Sequence, residues 1–258
     1  MERLNKQQSS GWNGSVLRTW GMLFLTAGVI GRGLIQNHLL QIGGLSGQQL
    51  LELMEGSETA MMYASVSLVL QAIETCAVPI FAFLLTQGFQ HTSNVWRYLL
   101  RVLGVAVLSE ILYNLAISGT LLDWTSRNPA FALVLCLVLL YFYKLYADPT
   151  GKNRIFKCIA TVACLLWTVM LGIDYGPVLV LLVCVQWSFR KKPALRNLLG
   201  VLAAVACMVI SPFFLASPMG FLFVHMYNGE QGNTSRKVNY LSYPLMLAGI
   251  ALIAEFVL

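Results

Sequence analysis

The sequence is poor in charge. Only 11% of its 258 residues are Asp, Glu, Lys or Arg, against 57% hydrophobic residues, and the mean hydropathy is +0.70. A soluble domain carries about 25% charged residues to cover its surface. A cytosolic enzyme with a solvated surface is therefore excluded, and so is a disordered or fibrous chain. Cysteine is sparse and unpatterned. Cys76, Cys136, Cys158, Cys164, Cys184 and Cys207 all fall inside apolar runs, with no C-x-x-C and no Cys/His spacing of a metal site. They read as small packing residues in helices, so neither a disulfide framework nor a metal site is expected. G-x-x-x-x-G-K-[ST], G-x-S-x-G, H-E-x-x-H and G-x-G-x-x-G are missing as well. That removes the phosphate-loop, hydrolase, zinc-protease and dinucleotide chemistries that depend on them. No linker, low-complexity tract or repeat of 20–50 residues stands out, so residues 1–258 read as a single domain.

What the sequence has is a series of apolar runs. Nine approach the roughly 20 residues that a helix needs to cross the hydrocarbon. They lie near 16–35, 60–86, 98–118, 129–147, 155–172, 175–189, 196–211, 212–227 and 239–258. The sixth is short. The seventh and eighth are divided by Ser211-Pro212 and read either as two spans or as one kinked span with a re-entrant piece. Gly31-Arg32-Gly33 follows the first run in place of a small-x-small cleavage site, so that run reads as a retained helix. The expected fold is all-α: a polytopic integral membrane helix bundle of about nine spans, between 8 and 10, in a lipid bilayer.

The net charge is +6, from 17 Lys and Arg against 11 Asp and Glu. The basic residues gather in alternate connections: Arg3, Lys6 and Arg18; Arg97 and Arg101; Lys144, Lys152, Arg154 and Lys157; Arg190, Lys191, Lys192 and Arg196; Arg236 and Lys237. Only Arg32 and Arg127 fall in the others. This asymmetry predicts a cytoplasmic N-terminus and an odd number of spans in a multi-pass cell-membrane protein. The connection 32–59 is then external and acidic through Glu52, Glu55 and Glu58, and Gly47 to Glu55 reads as a short interfacial helix. Because orientation accounts for the positive charge, no nucleic-acid partner is expected.

Polar side chains inside lipid are expensive, and each invites a functional hypothesis. In the second run Tyr63, Ser67, Gln71 and Glu74 are spaced by 4, 4 and 3, one stripe on one helix face. Glu74 lies near mid-depth, either as a buried acid/base on a polar cavity or as part of a helix–helix hydrogen-bond stripe. The third run carries Arg97, Arg101, Glu110 and Asn114. Glu110 and Asn114 share a face and read as a second wall of that cavity or as a structural contact, and Arg101 is placed to snorkel.

His38 falls in the external connection, while His91 and His225 fall at cytoplasmic ends. His91 offers a general base or a partner for a ligand phosphate. Asp174-Tyr175-Gly176 opens the sixth run, with Asp174 placed to cap a helix N-terminus. Tyr227-Asn228-Gly229-Glu230-Gln231-Gly232 reads as a turn, or as a backbone-lined anion site beside Arg236 and Lys237.

Several stretches resemble the TraX family. They are Pro79 to Leu85, Gln87-Gly88-Phe89-Gln90-His91-Thr92-Ser93-Asn94, Tyr98 to Arg101 and Ser109-Glu110-Ile111-Leu112-Tyr113-Asn114-Leu115-Ala116. Asp174-Tyr175-Gly176, Tyr227 to Gly232 and Tyr243-Pro244 follow in the same order. The resemblance implies a polytopic bacterial inner-membrane protein. It also implies transfer of an acetyl group from acetyl-CoA to an amine or hydroxyl acceptor, a protein or a small molecule; the activity described for the family is acetylation of pilin N-termini in conjugation. His91 and Glu74 are then the catalytic candidates. Thr92, Asn228, Gly229, Gly232, Arg236 and Lys237 would suit the coenzyme, and Gln71, Arg101, Glu110, Asn114, Asp174 and Tyr175 would line the polar cavity.

The chain departs from the family pattern at three places. Gly28-Val29 stands where the family has Asp-His, Thr75 where it often has arginine, and Met246 where a histidine usually follows Tyr-Pro. Three functions stay open: an acyltransferase, a catalytically degenerate scaffold or binding subunit, and a small-molecule transporter suggested by the buried carboxylates and proline-broken runs.

Overall fold

The computed structural model describes residues 11–42, 45, 48–49, 52, 56–233 and 235–257. Among these the chain is helical, with no strand beyond two isolated bridges. The helices are α1 (Gly14–Val29), α2 (Glu58–Glu74), α3 (Ala77–His91), α4 (Val95–Ser118), α5 (Ala130–Leu145), α6 (Gly151–Met170), α7 (Gly176–Ser188), α8 (Pro193–Ala206), α9 (Met219–His225) and α10 (Arg236–Val257).

Their starts follow from local chemistry. Asn13, Ser57, Asn94 and Thr150 accept a backbone N–H from the first turn of α1, α2, α4 and α6, and prolines occupy the first turns of α7 and α8. Gly119, at φ 66°, closes α4 in the left-handed conformation.

Among the described residues, five stretches are long and apolar enough to cross a membrane: Gly14–Leu39, Glu58–His91, Val95–Ser118, Gly151–Met170 and Val238–Phe256. Ala130–Leu145, Gly176–Ser188 and Pro193–Val209 are shorter apolar helices. The second expected span is not one helix, because it breaks at Thr75-Cys76 between α2 and α3. The eighth is not a continuous helix either. The chain turns at Ser211-Pro212 and returns through the single turn Pro212–Leu215 and the seven-residue α9. The short helix expected within Gly47 to Glu55 falls largely outside the described residues.

A further difference lies at the end of the first helix. The chain does not leave it for a connection near Arg32. It continues from Ile30 to Leu39 in wider turns, seen where the Leu40 N–H donates to the Ile35 carbonyl five residues back at 2.9 Å. Gly31 and Gly33 are buried in this segment, and the Gly33 backbone lies against the Ala116 carbonyl of α4. Only hydrogen side chains permit that approach. Arg32 therefore sits within the helix, between two glycines that bring it up to its neighbours.

α3, α5 and α7 form the main core, with Phe83, Leu137 and Leu182 fully buried. A second core joins α1, α4 and α10 through Val29, Tyr113, Ile117 and Leu247. Two backbone ladders tie the ends together. Trp12 N donates to the Met226 carbonyl at 2.7 Å, and Asn228 N to the Trp12 carbonyl at 2.9 Å. At the other end, Arg127 N donates to the Gly172 carbonyl at 2.9 Å and Asp174 N to the Arg127 carbonyl at 3.0 Å. The first ladder lies at the end holding the Lys/Arg-rich connections, here the basic end, and the second at the far end.

Candidate functional site

Toward the far end, charge is buried. Arg32 pairs with Asp174 (Nη1 to Oδ2, 2.5 Å) and with Glu74 (Nη2 to Oε1, 3.4 Å), and Glu74 is 1% exposed. The Tyr113 hydroxyl also donates to Asp174 Oδ2. The Arg32 guanidinium stands 5.7 Å from the centre of the Tyr175 ring, and Glu74 Oε2 is buried with no hydrogen-bond partner among the described residues. An unpaired charge here would cost several kcal/mol, so a guanidinium reaching two carboxylates is what the burial demands. Tyr175 has φ 58°, a left-handed backbone that disfavours any residue but glycine. That strain sits at the point where its ring meets Arg32.

A cavity of about 580 Å³ reaches this cluster from the basic end. Its mouth is formed by His91, Thr92, Asn94, Arg97 and Arg101 from the α3–α4 corner, Arg18 from α1, and Gly232. Its inner end is walled by Tyr175 and Tyr243. At the mouth Arg18 Nη1 donates to Asn239 Oδ1 at 2.6 Å. His91 Nδ1 donates to the Gln87 carbonyl at 2.8 Å, which leaves Nε2 as the acceptor nitrogen of the neutral ring. A second, shallower cleft of about 340 Å³ opens at the far end and also touches Asp174 and Tyr175. Tyr175 thus borders both spaces.

The sequence pattern of the family described as TraX protein matches residues 50–254. The chain belongs to the TraX family. No curated protein and no solved structure matches it. The matched span begins after the first helix, so Arg32 and Gly28-Val29 precede it.

In this TraX chain the sequence-predicted residues separate into groups. Glu74, Asp174 and Tyr175 come together around Arg32. His91, Thr92, Arg101 and Gly232 line the cavity mouth. Glu74 ends α2 and His91 ends α3, 17 residues further on, a helical rise of at most about 25 Å at 1.5 Å per residue.

Asp174 does not cap α7. Tyr175 occupies that position, because the Asp174 side chain is held by Arg32 and Tyr113. Gln71 bonds Gln36 at 2.9 Å and Ser67 at 3.0 Å, and Asn114 bonds the Leu121 carbonyl at 3.4 Å. Glu110 takes Arg127 at 3.4 Å and the Asn128 N–H at 3.2 Å, while Asn128 Oδ1 accepts the Tyr243 hydroxyl at 2.9 Å. None of the three lines the cavity as expected; Glu110 reaches its wall through Asn128, which holds Tyr243.

Asn228 and Gly229 shape the loop that pairs with Trp12. Asn228 Oδ1 accepts the Glu230 N–H at 2.9 Å, and Gly229 has φ 90°. The side chains of Arg236 and Lys237 lie outside the described residues.

Sequence reasoning missed Arg32, Arg18, Tyr113 and Tyr243. The signal for Arg32 was present: a lone arginine between Gly31 and Gly33 at the end of an apolar run, where a backbone can approach a neighbour closely.

Proposed function

We propose that this TraX chain is a multi-pass cell-membrane acyltransferase that moves an acetyl group from acetyl-CoA to an amine or hydroxyl acceptor. One observation carries the reading: a single cavity joins a mouth rich in arginine to hydroxyl groups backed by a buried charged cluster. Alternating basic connections orient the mouth toward the cytoplasm, where the donor is found.

The residues present suit acetyl-CoA as a co-substrate. Arg18, Arg97 and Arg101 supply cationic donors for phosphates, and His91 Nε2 adds a further one when protonated. The volume falls in the range of pockets that enclose small ligands, which fits a thioester arm extending inward. The acyl carbonyl then lies near Tyr175 and Tyr243. The acceptor nitrogen or oxygen forms a bond to that carbonyl carbon, the carbon–sulfur bond breaks, and the acceptor loses one proton. Glu74 takes that proton through the Tyr175 hydroxyl and returns it to the departing thiolate. On this reading His91 orients a phosphate and does not act as the base.

Calorimetric titration of the purified protein with acetyl-CoA, with free CoA measured in the same samples, tests the proposal. The expected result is saturable binding, with CoA release once peptides bearing free N-termini or small amines are added. Binding without release under those conditions leaves a non-catalytic binding subunit. A small-molecule transporter is the second reading, favoured by the two spaces that meet at Tyr175. Solute flux in proteoliposomes without acyl transfer would establish it.

A further inference from the structure

α7 and α8 pack against each other across the connection 189–192, at the basic end. This turn carries Arg190, Lys191 and Lys192, and Arg196 follows in the first turn of α8. The sequence holds no acidic residue between Asp174 and Glu230, and none of these four cations pairs with a carboxylate among the described residues. Lys191 and Lys192 are exposed, and the orienting role of basic connections accounts for them. It does not account for Arg196, which is 8% exposed. The Arg196 guanidinium lies 4.7 Å from the centre of the buried Phe83 ring of α3. Its Nε donates to Asn197 Oδ1 at 3.2 Å, whereas Nη1 and Nη2 have no hydrogen-bond partner among the described residues. A buried cation with idle donors calls for an anion.

The groups around it favour the same charge. Lys192 stands at the cap position of α8 without a side-chain cap bond, and Pro193 has no N–H. The Ala194 and Leu195 amides are therefore left open at the positive end of the helix dipole. In the last turn of α7, Gln186 is fully buried, and neither Nε2 nor Oε1 has a partner among the described residues. None of these residues lines the 580 Å³ cavity, so the donor phosphates are not the anion in question.

The surface below the turn indicates what carries the anion. Leu195, Leu198 and Leu202 are exposed along one face of α8, beside the buried face that holds Arg196, Gly200 and Ala204. An anionic head joined to apolar chains satisfies both faces. A soluble anion satisfies only the first.

We propose that the α7–α8 hairpin is a binding site for an anionic phospholipid. Arg196 Nη1 and Nη2 and the open amides of α8 take the headgroup phosphate, Lys191 and Lys192 add charge around it, and the acyl chains lie along Leu198 and Leu202. The site is independent of the acyltransferase reading.

The full chain, delipidated in dodecyl maltoside, is titrated with dioleoylphosphatidylglycerol or dioleoylphosphatidylcholine, and the adducts are counted by native mass spectrometry. One phosphatidylglycerol is expected to bind about tenfold more tightly than phosphatidylcholine. Arg196→Gln is expected to weaken that adduct about tenfold. Lys191→Gln should weaken it about fivefold, the effect of one charge near the surface. Lys152→Gln, which removes a basic residue from α6 at the same end, should leave it unchanged.

Arg196→Gln also removes packing on Phe83 and can disturb the hairpin. The exposed Lys191→Gln variant and the two-lipid comparison in the unaltered protein therefore stand as independent measurements. Equal binding of the two lipids, or a loss in Lys152→Gln as large as in Lys191→Gln, would overturn the proposal. Inorganic phosphate is the third probe. If it raises the unfolding temperature of the unaltered protein but not of Arg196→Gln, while phosphatidylglycerol does not bind, the anion is a soluble one and the lipid assignment is overturned.

Discussion

Glu74 fills the space that a side chain on Gly28 would need. A methyl group built on Gly28 would fall on the Cβ, Cδ and Oε2 atoms of Glu74, so the helix face that lacks a side chain at 28 is the face that admits a carboxylate from α2. The first helix has a glycine at this point, and the neighbouring helix supplies an acid against it.

Gly28→Ala is therefore expected to destabilise the protein by about 1–3 kcal/mol, the usual cost of overpacking a filled interior. The clash includes the Cβ of Glu74, so Glu74→Ala does not relieve it, whereas Glu74→Gly does in part. Thermal unfolding of the single and double variants in one detergent checks both expectations.

Arg32 is the cation for two buried carboxylates. Arg32→Leu leaves both Glu74 and Asp174 unpaired and is expected to cost about 3–5 kcal/mol, enough to prevent folding in a marginal protein. Arg32→Lys should fall between the two, because one ammonium does not span carboxylates that the guanidinium reaches through separate nitrogens, Nη1 and Nη2. Yield of monodisperse protein and its unfolding temperature rank the three forms.

The helical period made the stripe on α2 legible. Ser67, Gln71 and Glu74 are buried as their spacing implies, while Tyr63, one turn earlier, is 40% exposed and lies off the face on which Ala60 and Ala64 are buried. The all-helical fold and the break at Ser211-Pro212 were legible for similar reasons: apolar run length and proline act locally. The pairing of Asp174 with Arg32 was not. Their pairing spans 142 residues, and what brings it about is a wider helical turn after Ile30 together with a ladder between two connections. Neither leaves a periodic trace in the sequence. The separation of His91 from Glu74 was legible in principle from rise per residue, although a shared cavity linked them in function.

Asp123, in the connection that forms one side of the far cleft, accepts the Thr125 hydroxyl at 2.6 Å and the Thr125 N–H at 2.8 Å. These bonds hold its carboxyl below the ordinary aspartate value. A group with a depressed folded-state pKa contributes order that is fully present above its unfolded value, near 3.9, and is lost as pH falls through the folded one. The Thr125 amide is expected to exchange with solvent faster as pH drops below about 4, after correction for intrinsic exchange. Thr125→Val should move that change to higher pH, because the hydroxyl is the larger cause. Hydrogen-exchange mass spectrometry of the connection, read from pH 3 to pH 6, is the measurement.

Because His91 lines the cavity mouth while Glu74 is buried beside Arg32, their variants should affect different kinetic constants. His91 is exposed at the mouth, so His91→Ala should leave unfolding temperature unchanged. If its role is to hold a donor phosphate, it raises KM for acetyl-CoA about tenfold with little change in kcat, the signature of lost uniform binding. In the proposed mechanism Tyr175 relays a proton to Glu74, and Tyr175→Phe keeps the ring against Arg32 and removes only the hydroxyl. It should lower kcat by about 100-fold or more with KM for acetyl-CoA unchanged, in the range of a lost acid–base group. The reverse pattern, with kcat falling in His91→Ala and KM rising in Tyr175→Phe, would move the reacting carbonyl to the mouth and make His91 Nε2 the base.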